Sequence, residues 1–378
     1  MAIVADGSDI VIGAGAEGYG LLIRGALGSI GVWDGVETTG LRIAGDGLGA
    51  TTTITGGISV DNAIGTNAFD ANAYGMVLGQ DAITSLLQVR GAVLSSVTSD
   101  PASTAYGILL ESGASAPTLN NTGTIGATYF GETGAAIAIS DQSGTVTTIT
   151  NSGEIAAAIV ATDDDLTDDI PAPPVTGSAI AIDVSGTSAN VLIEQIEPTV
   201  FTDDDTGDDL PAAAPKIEGD ILLGSGNDTL DLMFGTITGD VSFGAGADVF
   251  NIDNGAVYTG SLSDADGQLS IDVQQGTLNY NGGTLTITNA TFGADSAFNP
   301  LLTGVPGTTT NITATGSVTF AAGAELTPVL PAGLPVFGTQ VFLTANQMFG
   351  AANVIGQVGG ANSPYLYDII IDTSNPIV

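Results

Sequence analysis

The stretch IEGDILLGSGNDTLDL (217–232) recurs as ITGDVSFGAGADVFNI (237–252), at an offset of 20 residues. Gly219/Gly239, Asp220/Asp240, Gly224/Gly244, Gly226/Gly246 and Asp228/Asp248 are identical between the copies. Periodicity at this length is the mark of stacked repeats, in which each unit buries its apolar face against the next. Upstream the repeat stretches. LNNTGTI (119–125) and ITNSGEI (149–155) match at an offset of 30, with Asn121/Asn151, Gly123/Gly153 and Ile125/Ile155 in register.

A hexamer recurs as well: GYGLLI (18–23), TTGLRI (38–43), AYGMVL (73–78), AYGILL (105–110), GAAIAI (134–139) and GSAIAI (177–182). Each places a small residue before two apolar residues at i and i+2. The residue between them is Arg42 in one copy and Ala138 in another. Period two with a free choice at the middle position describes a strand with alternate residues facing in and out. A period near 20 that lengthens by insertion is the pattern of a right-handed parallel β-helix, with one coil per repeat and insertions at the corners. A β-sandwich has turn signals but no stacked copies of one hexamer. The chain therefore reads as all-β, a β-solenoid with extruded acidic loops. At roughly 20–25 residues per coil it makes about 15 coils, a rod on the order of 70 Å long.

Two acidic stretches interrupt this pattern, TDDDLTDDIPAPP (162–174) and TDDDTGDDLPAAAP (202–215). Five carboxylates in so short a window repel one another and bring little apolar surface to bury, so both are loops. The first follows the GAAIAI coil and the second the GSAIAI coil, which predicts that both leave the same corner. Asp163, Asp164, Asp165, Asp168, Asp169, Asp203, Asp204, Asp205, Asp208 and Asp209 are candidate partner-contact residues or, on the plainer reading, solvated acids. The expected organisation is an N-terminal set of coils over 1–216 with insert loops at 161–175 and 200–215. Regular coils follow over 217–320, and a capping or autochaperone-like segment over 321–378.

Composition excludes much chemistry. The 378 residues include 41 acidic side chains, four basic ones (Arg24, Arg42, Arg90 and Lys216), no His and no Cys, for a formal charge of −37. Counterion release on nucleic acid needs a basic surface, so no nucleic-acid partner is expected, and anionic lipid is disfavoured too. Without His or Cys there is no Ser-His-Asp triad, thiolate nucleophile or thiolate metal site. No run of about 18 apolar residues is present to span a bilayer as a helix. The opening MAIVADGSDIVIGAG lacks the basic and apolar regions of a signal peptide, so Met1 is expected to be a start cut from a longer precursor.

The Asn-Ser/Thr-Gly-x-Ile turns at 121–125 and 151–155, the coils at 219–228 and 239–248, GSLSDADGQLSIDVQQGTLNYNGG (260–283) and the final SPYLYDIIIDTSNPIV (363–378) resemble autotransporter passenger domains. The resemblance rests on composition and repeats and covers most of the chain. It implies a β-helical body secreted through an outer-membrane barrel carried by the precursor. It also implies a place at the cell surface or outside the cell, and a role in adhesion, cell–cell contact or biofilm formation. The implied partners are an extracellular polysaccharide or protein, or further copies joined end to end. The chain departs from the full family pattern in having neither signal peptide nor barrel, as an excised passenger would.

GSGND (224–228) and GAGAD (244–248) match part of the calcium-binding nonapeptide G-G-x-G-x-D-x-U-x, which makes Asp228 and Asp248 candidate calcium ligands. Leu223 and Phe243 stand where that motif has its first Gly, and the copies are 20 residues apart. A turn whose Asp satisfies backbone amides explains the same pattern. A calcium-ordered surface-layer, matrix or filament protein is therefore the second reading. A third is a polysaccharide-degrading β-helix, since glycoside hydrolysis needs only two carboxylates. Trp33 is the sole tryptophan and the acids cluster in loops, so no enzymatic activity is expected. Tyr19, Tyr74 and Tyr106 share one repeat position and are expected to form a structural ladder.

Overall fold

The computed structural model describes residues 1–98, 103–162, 174–198, 201–202, 209–210, 213–302, 311–329, 341–350 and 355–356. These form a right-handed parallel β-helix, in which each coil visits three parallel sheets in turn. The chain divides into two units, Met1–Val191 with Pro198–Leu222, and Leu192–Glu197 with Leu223–Val378. The expected boundary at 216/217 falls inside the strand Lys216–Glu218.

In the first unit, the first sheet stacks Ala2–Val4, Thr38–Ala44, Ala73–Leu78, Thr104–Leu110, Ala135–Asp141, Ser178–Asp183 and Asp220–Leu222. The second stacks Leu21–Ile23, Ile58–Val60, Leu86–Val89, Thr118–Asn121 and Thr148–Asn151. The third stacks Leu27–Ile30, Ala63–Phe69, Ala92–Thr98, Thr124–Phe130, Glu154–Val160 and Lys216–Glu218. Five of the six hexamers lie on the first sheet, but not in one register. The buried ladder is Leu41↔Met76↔Ile108↔Ile139↔Ile182, so GAAIAI and GSAIAI are displaced by two residues from the sequence alignment. Ile137 and Ile180 continue the Tyr74–Tyr106 column, and Ala138 is buried against Gly107 instead of facing out. GYGLLI does not join them. Leu21–Ile23 pairs with Ile58–Val60 on the second sheet, and the first-sheet strand beside Thr38–Ala44 is Ala2–Val4. Period two identifies an inward pair without saying which side of the coil it faces.

The core is built from ladders of like residues. Ile64, Val93, Ile125, Ile155 and Ile217 stack in register and are fully buried. Each contributes roughly 1.5–3 kcal/mol of transfer free energy. Between the third and first sheets the buried side chains are small, Ala68 and Ala127 from the third and Ala73, Ala105 and Ala136 from the first, because the ring of Tyr129 fills the space among them. Gly134 leaves room for that ring: a Cβ there would stand 2.1 Å from it. The Asn turns form a buried ladder too. Asn121 Nδ2 donates to Asn151 Oδ1 at 2.8 Å and to the carbonyl of Glu154 at 3.0 Å.

In the second unit the coils shorten to the 20-residue period, and Thr229–Leu232 pairs with Val249–Ile252 in the register read from the sequence. Ser270–Val273, Asn289–Phe292 and Asn311–Phe320 continue that sheet. Its core is aromatic. Phe250 meets Phe243 at 5.9 Å and Tyr258 edge-on at 5.2 Å, and Phe292 stacks on Phe298 at 5.1 Å and Phe320 at 5.0 Å. Of the expected terminal segment, Leu343–Phe349 pairs with Asn311–Phe320, whereas SPYLYDIIID (363–372) lies outside the described residues.

The two acidic insertions leave different corners, contrary to the sequence expectation. The first lies between Glu154–Val160 of the third sheet and Ser178–Asp183 of the first. The second lies between Leu192–Gln195, which pairs along the second-sheet direction with Thr229–Leu232, and Lys216–Glu218 of the third sheet. Only the flanking strands decide which side of the coil an insertion leaves.

Candidate functional sites

The glycine turns of the repeat place Asp228 and Asp248 one above the other. Gly244 and Gly246 have φ of +75° and +136°, and a Cβ would stand 1.8 Å from the Gly224 carbonyl oxygen and 1.9 Å from that of Gly226. Only glycine permits that conformation with the next turn so close. In the stack the Asp228 N–H donates to Asp248 Oδ1 at 2.7 Å, Ala247 N–H to Asn227 Oδ1 at 2.9 Å, and Gly246 N–H to Asp266 Oδ2 at 3.1 Å. Side chains of one coil thus cap backbone amides of its neighbour, the arrangement of the plain-turn reading.

Both aspartates are 1 % exposed. Among the described residues Asp248 Oδ2 has no hydrogen-bond partner. Burial pushes the Asp248 carboxyl up to about 6, opposed by the Asp228 amide and reinforced by the carboxylates of Asp228, Asp264 and Asp266. Its neighbour Asp266 is held below the usual carboxylate range, chiefly by the Gly246 N–H. Among the described residues no group of three or more acidic side chains is gathered in a metal-binding arrangement. Calcium takes about six to eight oxygens, so any site here would draw mostly on backbone carbonyls and water.

Asp163, Asp164, Asp165, Asp168, Asp169, Asp203, Asp204, Asp205 and Asp208 lie outside the described residues, and Asp209 pairs antiparallel with Thr202 in a two-stranded ribbon. The stems of the first insertion are well defined. Glu132 Oε1 accepts the N–H and the hydroxyl of Thr162, both at 2.9 Å, while its backbone carbonyl accepts Thr176 N–H and Gly177 N–H, both at 2.8 Å. The two Thr162 donors hold the Glu132 carboxyl below its usual range. One residue therefore holds both feet of the insertion.

The four cations are engaged. Arg42 makes a bidentate pair with Glu111 at 2.8 and 2.7 Å, and Lys216 sits 3.1 Å from both Glu154 and Glu218. Arg90 contacts Asp61 at 3.2 Å, and Arg24 contacts Glu17 and Asp61. Tyr74 and Tyr106 stack at 5.3 Å with rings 2° from parallel, as the repeat position predicts. Tyr19 leaves that ladder with its hexamer. It accepts a hydrogen bond from Arg90 at 3.0 Å, and the guanidinium lies 5.2 Å from its ring centre.

The outward side of the third sheet is a feature that sequence reasoning missed. Registered columns place Gly28–Gly65–Leu94–Gly126–Ala156 beside Ile30–Asn67–Ser96–Thr128–Ala158 and Phe69–Thr98–Phe130–Val160. Over the five rungs from Leu27–Ile30 to Glu154–Val160 these three columns hold no ionisable side chain. The next rung brings Glu218 beside Ala156, and the neighbouring outward column ends in Glu154 and Lys216, which are 3.1 Å apart. The signal was alternation within AIGTNAF (63–69), AVLSSVT (92–98) and TIGATYF (124–130), legible only once their mutual register is known. No protein-family model matches the chain, and no curated protein or solved structure matches it significantly.

Proposed function

We propose that the chain is a non-enzymatic scaffold displayed at the surface of a Gram-negative cell, the passenger of an autotransporter. In this reading it acts in adhesion or cell–cell contact through its inserted acidic segments. The observation that carries the reading is the insertion held on Glu132. The chain leaves the ladder after Val160 and returns with Ile137↔Ile180 and Ile139↔Ile182 still in register. A fold that accepts an excursion without loss of register presents segments outward while its core stays the same, as display requires. The resemblance of the repeats to passenger domains supplies the secretion route, and the acidic character of both insertions suits a cationic or hydroxyl-rich extracellular ligand.

The test is display of the chain on cells, ahead of an outer-membrane barrel, with and without residues 163–173. Protease accessibility at the surface and attachment to a coated support are expected for the intact chain, with attachment reduced in the deletion. Equal attachment by the deletion variant would reject the first insertion as the contact, and surface display with no attachment would reject the adhesive role.

The buried, unpartnered Asp248 Oδ2 favours a second reading, a calcium-ordered matrix or surface-layer protein. Melting in millimolar Ca²⁺ and in EGTA separates the two. A rise of many degrees in calcium, lost in D248N, supports the second reading, and equal melting points dismiss it.

A further inference from the structure

We infer that the outward side of the third sheet in the first unit is a lateral self-association face, which packs against the same face of a second copy about a two-fold axis. This is independent of the passenger reading and differs from end-to-end association, since it uses a flank.

The exposed apolar side chains of the face are Ile30, Leu94, Phe69, Phe130 and Val160, with Leu94 44 % and Ile30 70 % exposed. They surround the hydroxyl and amide groups of Asn67, Ser96 and Thr128. An uncharged surface with five large exposed apolar side chains is unusual on a protein so rich in charge and marks a contact site. Its charge complementarity is that of a neutral surface for another neutral surface. Two copies carrying 37 net negative charges each meet with least repulsion across these uncharged rungs, at whose edge Glu154 and Glu218 are both paired with Lys216.

The relief of the face fits a copy of itself. Leu94 projects from a column that is otherwise glycine and alanine. It leans over Gly126, where a Cβ would stand 2.9 Å from Leu94 Cδ2, and leaves Gly65 and Gly28 open on the other side, with nothing within 4 Å of a Cβ. Gly28 and Gly65 have no positive φ and no internal neighbour that requires glycine, and mid-strand glycine weakens a sheet. A close approach from outside gives those two positions a reason. About a two-fold axis between the Leu94 and Gly65 rungs, Leu94 of each copy enters the open site above Gly65 of the other, as an isologous interface requires.

Five coils at about 4.8 Å and strands of up to seven residues give a face on the order of 500 Å² per copy. About 1,000 Å² in total is the lower limit for a specific interface, so the dimer is weak and concentration-dependent. Salt strengthens it, because the opposing net charges are screened within about 10 Å at 0.1 M ionic strength and about 30 Å at 0.01 M.

The test is sedimentation equilibrium of the whole chain from about 10 μM to about 500 μM, a range that brackets weak dissociation constants, at low and at moderate salt. The expected result is a monomer–dimer equilibrium that shifts toward dimer as salt rises and is lost in G65T and in L94S. G65T places a strand-favouring residue at an open site, so its melting point is expected to hold or rise, which separates loss of contact from loss of fold. The chain has no cysteine, so oxidation of mixed G65C and L94C chains reads the geometry directly. Heterodimer disulfides in excess of either homodimer are expected. A monomer under all conditions, dimerisation unchanged in G65T and L94S, a dimer that dissociates as salt rises, or no preference for the heterodimer would each overturn the inference.

Discussion

Replacing Asp248 by Asn separates the charge of that side chain from its work as an acceptor. The amide oxygen of Asn still takes the Asp228 N–H, whereas the charge near Asp228, Asp264 and Asp266 is gone. Burial first, and the three carboxylates after it, raise Asp248 from 3.8 to about 6. A folded state that binds a proton more tightly than the unfolded chain is stabilised as pH falls. The contribution is absent well above pH 6, grows as pH passes through 6, and is complete below 3.8. At about 1.36 kcal/mol per unit the full span is about 3 kcal/mol, of which roughly 1.4 kcal/mol is developed by pH 5, where ordinary carboxylates are still mostly ionised. Urea unfolding followed by far-UV circular dichroism, in chelator, gives the free energy of wild type and D248N between about pH 5 and pH 7.5. The other acids contribute to both chains, and any fixed cost of fitting the Asn amide is the same at every pH. The difference between the two curves therefore reports the titration of Asp248 together with its coupling to Asp228, Asp264 and Asp266. Wild type is expected to gain about 1.4 kcal/mol on D248N as pH falls across that range. Parallel curves would show that Asp248 titrates like an exposed acid and that its burial is not felt. A difference of opposite sign would mean that the charged form is the one stabilised.

Three further substitutions test the packing. G134A drives a methyl group into the Tyr129 ring and toward the Ser103 carbonyl, 2.1 and 2.5 Å from the new Cβ, and is expected to destabilise the first unit by about 1–3 kcal/mol in the same urea assay. N121A removes the donor to Asn151 Oδ1 and the Glu154 carbonyl, leaving buried acceptors unmet, and is expected to lose about 1–3 kcal/mol; replacing both Asn121 and Asn151 by Leu is expected to recover part of that loss. R42A breaks the bidentate pair with Glu111, but both side chains are about a third exposed, so a change of less than about 1 kcal/mol that shrinks further in high salt is expected by thermal melting.

What could be read from the sequence, and what could not, divides along inward and outward positions. Inward residues repeat because each meets its own counterpart one coil away: Leu41, Met76 and Ile108 are legible as one ladder. In GAAIAI and GSAIAI, by contrast, the period of two fits equally well two residues on, and the ladder takes Ile139 and Ile182 where the sequence alignment has Ile137 and Ile180. The 20-residue register of Thr229–Leu232 on Val249–Ile252 was legible for the same reason. Period two carries no label for the side of the coil, however, which is why GYGLLI was grouped with the first sheet and both acidic insertions were assigned to one corner. The burial of Asp248 was hidden in a different way. G-x-G-x-D is turn chemistry, and a turn is ordinarily a surface feature, but stacking one turn on the next encloses the aspartate between amides and gives its carboxyl two environments at once, Oδ1 capped and Oδ2 enclosed. Outward positions have no such partner within the coil, so Gly65 and Leu94 show no repeat between them. Their relation exists only in the register Gly65↔Leu94, which depends on coil lengths that vary. A solenoid thus writes its fold in the inward residues, where repetition can be counted. Its contacts lie in the outward ones, where each coil differs from the next and only the alignment of coils shows which residues stand together.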